Sequence, residues 1–342
     1  MKNFCFKYIS TFYLLINYIQ IQDISTNFYN NNLQYGLNIT RKNLIIGTIK
    51  NYDWHSIKLF FMSFKKSEFL NCDIVMFVQN LTVQTVNKIK KYGVIIHEIP
   101  NKFTNMRINN CRYKIYSDFL EDKLDKYNII LATDVRDVIF QKDIFRDYDT
   151  SKPFLGLAIE DANISERINK NWMISTFGGK LFETLKNKPV ICSGTFLGTP
   201  YIFYKFCKNI WKEISSSNIN LTFNLRHDQT IVNYIIYHNR HFKNFIRKSH
   251  NKDGHIMTIG VTPLQNIYFD FENNILNRNG KIADVIHQYD RKLEIVRILL
   301  NKFEHNKIKK YRELIYCLFI SYIFLLVILY KKIKKMNTYG LN

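Results

Sequence analysis

Short continuous apolar runs alternate with amphipathic stretches through the first half of the chain, a pattern that predicts buried strands joined by helices. Residues 43–48 read Asn-Leu-Ile-Ile-Gly-Thr and predict a strand, which gives way to Ile49, Lys50, Asn51, Tyr52 and Asp53. Ile57, Phe60, Phe61 and Phe64 then recur at helical spacing, and residues 73–78 form a second apolar run. The pattern repeats at once, with a helix over 83–92, a turn at Gly93 and a third strand over 94–96. Residues 107–124 predict a longer helix carrying Arg112, and it feeds the run Ile-Ile-Leu-Ala-Thr over 129–133. Strands alternating with helices through short connections predict an α/β fold with a parallel sheet wound on both faces.

The second half is less regular. A short helix is expected over 140–145 and a strand over 154–159 that ends in Glu160 and Asp161, while 162–189 reads as irregular. Residues 190–198 (Val-Ile-Cys-Ser-Gly-Thr-Phe-Leu-Gly) are two apolar halves with a break at Ser193 and Gly194, which marks either a bulge or a close approach of backbone to a ligand. Pro200 opens a helix running through Trp211 and Ile214, and short strands are expected over 256–259 and 267–269.

Polar chemistry collects at the ends of the apolar runs. The strand over 129–133 stops abruptly in Thr-Asp-Val-Arg-Asp, so Asp134, Arg136 and Asp137 fall where open α/β sheets bind their ligands. Two carboxylates on one irregular turn can converge on a hard divalent cation; a surface turn with a salt-bridged arginine is the alternative. Asp228 and Gln229 precede an apolar helical run, either as an N-cap or as groups facing a cleft, and His287 directly follows Val285 and Ile286. There is no Gly-x-Gly-x-x-Gly and no phosphate-binding Gly-x-x-x-x-Gly-Lys-Ser/Thr, which disfavours a dinucleotide fold or a P-loop.

Charge and the chain ends add a second theme. The formal net charge is +21 over 342 residues, yet the densest basic clusters (Lys307, Lys309, Lys310, Arg312, then Lys331, Lys332, Lys334, Lys335) flank one uncharged apolar run over 314–330. That placement points to lipid headgroups rather than nucleic acid. As a helix the run spans about 26 Å, enough for a bilayer with snorkelling lysines, so it predicts a single-pass C-terminal anchor. Residues 1–22 read as a hydrophobic leader or a second, N-terminal span, 23–42 as a linker, 43–297 as the folded domain, 298–313 as a basic linker and 331–342 as a basic tail. Four sequons (Asn38, Asn80, Asn163, Asn220) carry little weight in so Asn-rich a chain. The six cysteines form no CxxC pair and predict no structural zinc.

Thr-Asp-Val-Arg-Asp at a strand end, then Ser-Gly-Thr-Phe-Leu-Gly, His-Asp-Gln-Thr-Ile-Val-Asn and a late Val-Ile-His-Gln-Tyr-Asp-Arg occur in that order across residues 43–295. The set resembles the GT-A class of nucleotide-diphospho-sugar glycosyltransferases, the Asp-x-Asp type, and within it families 8 and 77. The resemblance implies a Rossmann-like, mostly parallel central sheet flanked by helices. It also implies Mn²⁺ or Mg²⁺ held by Asp134, Asp137 and His287, a nucleotide-diphosphate sugar as donor, and a glycan, protein or lipid as acceptor. By the same resemblance Thr48, Asn51, Tyr52, Arg112, Asp134, Arg136, Ser193, Gly194 and Gln229 bind the nucleotide sugar. Glu160, Asp161 and Asp228 are the candidates for a catalytic carboxylate, and the setting is an endomembrane (ER or Golgi) if the source is eukaryotic. The sequence departs from the class at Val135, where the motif's other acid is displaced to Asp134. Two rival readings remain: a sugar nucleotidyltransferase, which needs a Gly-rich phosphate loop not visible over 46–53, and a membrane-tethered basic binding protein without catalysis.

Overall fold

A computed structural model describes residues 41–305, apart from 147, 217–226 and 239–241, together with residue 322. The chain divides into two units at Arg41, and all the elements below lie in the second. Both expected membrane segments, 1–22 and all of 314–330 except residue 322, lie outside the described residues, and so does most of the 23–42 linker. Among the described residues no helix is long and apolar enough to cross a membrane.

The first half follows its hydrophobic pattern. Strand β1 (Lys42–Lys50), helix α1 (Trp54–Lys66), β2 (Cys72–Gln79), α2 (Val83–Lys90), β3 (Ile95–Glu98), α3 (Ile108–Leu120) and β4 (Tyr127–Thr133) succeed one another with short connections. Asp53 starts α1 by accepting from the Ser56 backbone N–H at 2.8 Å, and Thr82 starts α2 by accepting from Thr85 N–H at 3.2 Å. β1 pairs in parallel with β2 and with β4, and β2 in parallel with β3.

The second half differs from its pattern in three places. Residues 138–140 form a strand, β5 (Val138–Phe140), because they find partners far along the chain, and 140–145 holds no helix. Next, β6 (Leu155–Asn163) continues through Glu160 and Asp161 instead of ending there. Residues 162–189, read as irregular, hold helices α4 (Arg167–Phe177) and α5 (Gly179–Leu185). Their amphipathic signal is faint because only Met173 of α4 and Phe182 and Leu185 of α5 are buried. Strand β7 (Pro189–Gly198) runs unbroken through Ser193 and Gly194; the irregular register lies in its pairing with β6. The remaining elements are α6 (Pro200–Ser215), α7 (Asp228–Tyr237), β8 (Ile246–His250), β9 (Ile256–Thr258), the β10–β11 pair (Tyr268–Phe269, Ile275–Leu276), β12 (Val285–His287) and α8 (Leu293–Leu300).

Seven strands form the main sheet in the order β3-β2-β1-β4-β7-β6-β8. All run the same way except β7, which is antiparallel to both β4 and β6. Alternate side chains feed two cores, as the pleat requires. Leu44, Ile46 and Ile130 face Tyr113, Phe203 and Ile231 of α3, α6 and α7. Ile45, Ile129 and Leu131 face Ile57, Phe60 and Phe61 of α1. A second sheet, β5-β12-β9, packs against α1, where Phe60 meets Phe140 edge-to-face at 4.9 Å between ring centroids. The four described cysteines, Cys72, Cys111, Cys192 and Cys207, are free thiols.

Because the chain winds from β1 outward to β3 and then returns to add β4 on the other side, a crevice opens at the carboxyl ends of β1 and β4. Phe60 locks the second sheet beneath that crevice. Phe60→Ala is therefore expected to cost about 3–5 kcal/mol of stability, measured as a lower urea midpoint; a change below about 1 kcal/mol would place the Phe60–Phe140 contact outside the cooperative core.

Candidate metal centre

The acidic turn follows directly from how β4 ends. Asp134 N–H donates to Gly194 O at 2.7 Å, which ties the turn to β7. Val135 is buried at 2% exposure, and Gly47 of β1 makes room for it: a Cβ there would stand 2.9 Å from Val135 Cγ2. Val135 thus anchors the turn in the core, and the acids flanking the Val135-Arg136 pair are left to converge. This explains the departure from an Asp-x-Asp spacing.

β12 supplies the third group. His287 pairs with Val138 of β5 and with Thr258 of β9, so its ring arrives beside the turn. Its Nε2 lies 3.5 Å from Asp134 Oδ2 and 3.6 Å from Asp137 Oδ1. One ligand atom from each of Asp134, Asp137 and His287 lies within 4.8 Å of the others. The ring can reach this position only because residue 194 lacks a side chain. A Cβ on Gly194 would sit 2.5 Å from His287 Nε2 and 2.7 Å from Asp134 Oδ2.

The residues present fit a divalent ion. His287 is 1% exposed, yet its Nε2 has no hydrogen-bond partner and faces two carboxylates. Buried imidazole nitrogens are otherwise satisfied, at a cost of about 1–3 kcal/mol when they are not. Adjacent ligands around an ion with bonds of about 2.0–2.1 Å stand roughly 3 Å or more apart, so the observed spacings suit it. Two hard oxygens and one imidazole suit Mn²⁺ or Mg²⁺ completed by water and phosphate.

The far side of the ring is held by a residue that the sequence did not single out. Cys192 Sγ lies 3.2 Å from His287 Nδ1, and Gly194 N–H donates to the same sulfur at 3.4 Å. In the neutral ring that a metal takes, a proton on Nδ1 directed at Sγ leaves Nε2 free to face the carboxylates, the usual way an outer partner fixes a ligand's tautomer. The available signal was the period-2 relation of Cys192 to Gly194 on one strand face.

Arg112 is the second organiser. It is 4% exposed; Nη1 donates to Asp134 Oδ1 at 2.5 Å, and Nη2 to Asp228 Oδ2 at 2.5 Å and to Ser193 O at 2.6 Å. Asp228 Oδ2 also accepts from the Tyr113 hydroxyl at 3.1 Å. Burial pushes the Asp134 carboxyl up, but Arg112 and His287 outweigh it and hold it well below the usual carboxylate range. Burial raises Asp137, with the neighbouring acids adding to it. Burial alone would lower His287; Cys192, Asp137 and Asp134 together hold it well above its ordinary value.

The other expected site residues are distributed unevenly. Tyr52 is brought to the turn, its acidity weakened first by burial, with Arg136 opposing and Asp134, Asp137 and Asp290 adding to it. Thr48 meets Tyr116 at the end of β1, and Asn51 is exposed in the left-handed region at φ 60°. Arg136 bridges Asp137 at 3.4 Å and Asp290 at 3.2 Å. Gln229 Oε1 accepts from Ser193 N–H at 3.4 Å. The three candidate carboxylates of catalysis are not assembled around the turn as a set. Asp228 is neither a cap nor open to a cleft: His227 holds the N-cap position, and Asp228 is buried against Arg112. Asp161 is tied to Arg278 at 2.6 Å and accepts from Thr262 at 2.7 Å and Asn251 at 3.0 Å, a network apart from the turn. Glu160 is buried beside Cys192 with Oε1 unpartnered, and burial raises its pKa.

No family model and no curated protein matches the chain. Among solved structures it is similar to a crystal structure of galactosyltransferase LgtC in complex with donor and acceptor sugar analogs. That likeness has a TM-score of 0.41 and 13% sequence identity over 72% of this chain and 86% of that one. It gives no support to the finer likeness to families 8 and 77. What the site can do rests on its own geometry.

Two outcomes follow from that geometry. Gly194→Ala drives a methyl into the His287 ring and is expected to abolish Mn²⁺ binding by calorimetry while leaving the circular dichroism unchanged; undiminished affinity would show that the ring does not need that space. The metal takes neutral imidazole, whereas Cys192, Asp137 and Asp134 around His287 favour its protonated form in the metal-free protein. Binding therefore releases a proton, and Mn²⁺ affinity should fall as pH is lowered, by up to about tenfold per pH unit. Affinity flat between pH 8 and 6 would exclude His287 as a ligand.

Proposed function

We propose that this chain is a metal-dependent glycosyltransferase that moves a sugar from a nucleotide-diphosphate donor to an acceptor. The observation that carries the reading is the Asp134-Asp137-His287 group, with a bare buried Nε2, standing at the carboxyl ends of β1 and β4. A three-ligand set of this kind leaves positions open for phosphate oxygens, as a nucleotide diphosphate needs.

Asp134, Asp137 and His287 would hold Mn²⁺ or Mg²⁺, which would supply positive charge to a diphosphate leaving group. The chain's own residues prepare that step. Asp134, Asp137 and His287 fix the position of the charge; Arg112 holds Asp134 in place and is itself locked by Asp228. Tyr52, Asn51 and Thr48, around the end of β1, would receive the nucleoside. Ser193, Gly194 and Gln229 line the side on which the sugar is transferred. Stabilising the charge that develops on the departing diphosphate lowers the barrier without a protein nucleophile. Asp228 and Asp161 are engaged by other side chains, whereas Glu160 keeps a buried Oε1 without a hydrogen-bond partner. The Lys-flanked apolar run over 314–330 supports attachment of the enzyme to a membrane, with 1–22 as a second candidate span.

Calorimetry of UDP and GDP against the full chain tests the reading. One nucleotide is expected to bind with Mn²⁺ and not with chelator, and Asp137→Asn to weaken that binding at least about 10- to 100-fold. If neither nucleotide binds in the presence of metal, the chain is not a transferase of this kind.

A further inference from the structure

Helix α4 is a poor core helix. Only Met173 is buried, while Ile168 is 60% exposed and Trp172 half-exposed. Ile168, Asn169 and Trp172 stand at i, i+1 and i+4, so they share one helix face with Trp172 directly above Ile168. That face meets the start of α7. The Trp172 ring stacks on His227, with centroids 4.1 Å apart and planes within 15°. Burial and then Arg107, against Asp228, hold His227 below its ordinary value, which favours the neutral ring.

The same face is wired to the metal centre. Asn169 Oδ1 accepts from Gln229 Nε2 at 3.0 Å, Gln229 Oε1 accepts from Ser193 N–H, and Ser193 adjoins Gly194, whose carbonyl holds the acidic turn. An aromatic stack, two amides and the exposed Arg107 therefore form one strip leading out of the site. Aromatic faces flanked by amide donors and acceptors match a pyranose, which carries an apolar C–H face and a rim of hydroxyls. Neither an acidic cluster for a basic peptide nor a continuous apolar groove for an acyl chain is present in this strip among the described residues.

We infer that the strip formed by Asn169, Trp172, His227 and Gln229 is the acceptor platform and that the acceptor it takes is a saccharide. The inference rests on the glycosyltransferase reading above and specifies its acceptor class. Trp172 acts as a stacking surface, and Gln229 and Asn169 orient hydroxyls toward the donor side of Ser193.

Saturation-transfer NMR on the full chain with Mg²⁺ and UDP tests it, using methyl β-D-galactopyranoside, methyl β-D-glucopyranoside and methyl α-D-mannopyranoside as probes. At least one glycoside should receive saturation on its ring C–H protons. Trp172→Ala should reduce that transfer about tenfold and Trp172→Phe should largely restore it, with UDP binding unchanged in both. If UDP binds and no glycoside responds, or if Trp172→Ala leaves the transfer intact, the platform is overturned while the transferase reading stands. If UDP fails to bind but the glycoside signal still depends on Trp172, the platform stands and the transferase reading falls. A Ser-containing peptide that responds where the glycosides do not also overturns the saccharide assignment.

Discussion

The guanidinium of Arg112 is the contact on which the site depends. It is buried, and it reaches Asp134 on the acidic turn, Ser193 on β7 and Asp228 on α7 from its place on α3. Four elements are therefore fixed relative to one another by one side chain. Buried charges gain little net stability when paired, but losing one partner leaves the rest uncompensated, at about 3–5 kcal/mol. The network is better understood as a device of position than of stability. It aims one oxygen of Asp134 at Arg112 and leaves Oδ2 directed at His287.

A second constraint is steric. His287 comes from the small β5-β12-β9 sheet and must enter the main sheet's territory to stand beside Asp134. Gly194 supplies the opening, and Cys192, two residues earlier on the same strand face, supplies the partner for Nδ1. The reversed direction of β7 is what presents both residues to the carboxyl end of β4, through the Thr133–Thr195 register. A parallel strand in that place would have offered a different pair of residues.

Much of this was legible in the sequence, for reasons that differ by element. The strands and helices from β1 to β4 were legible because each is a short apolar run or an amphipathic turn with local caps. Asp134 and Asp137 were legible as a possible pair because polar groups directly after apolar runs sit at strand ends, whereas His287 joined them only through the family resemblance; the structure brings the three together. The direction of β7 was not legible, since an apolar run reads the same both ways. Strand β5 was misread because its partner, Val285–His287, lies far along the chain. Arg112 was expected to approach the donor; its commitment to Asp134 and Asp228 depends on tertiary contacts that spacing does not encode. Cys192 was passed over because a thiol in an apolar strand is ordinarily core, and its period-2 relation to Gly194 gains meaning only once His287 is known to lie beside them.

Pulsed EPR of Mn²⁺ bound to the full chain tests the central claim most directly, because it reads the ligand atoms themselves. The account predicts modulation from a single ¹⁴N nucleus, lost in His287→Ala under conditions where residual Mn²⁺ remains bound. Bound Mn²⁺ with no nitrogen coupling, or with coupling that survives His287→Ala, would contradict it.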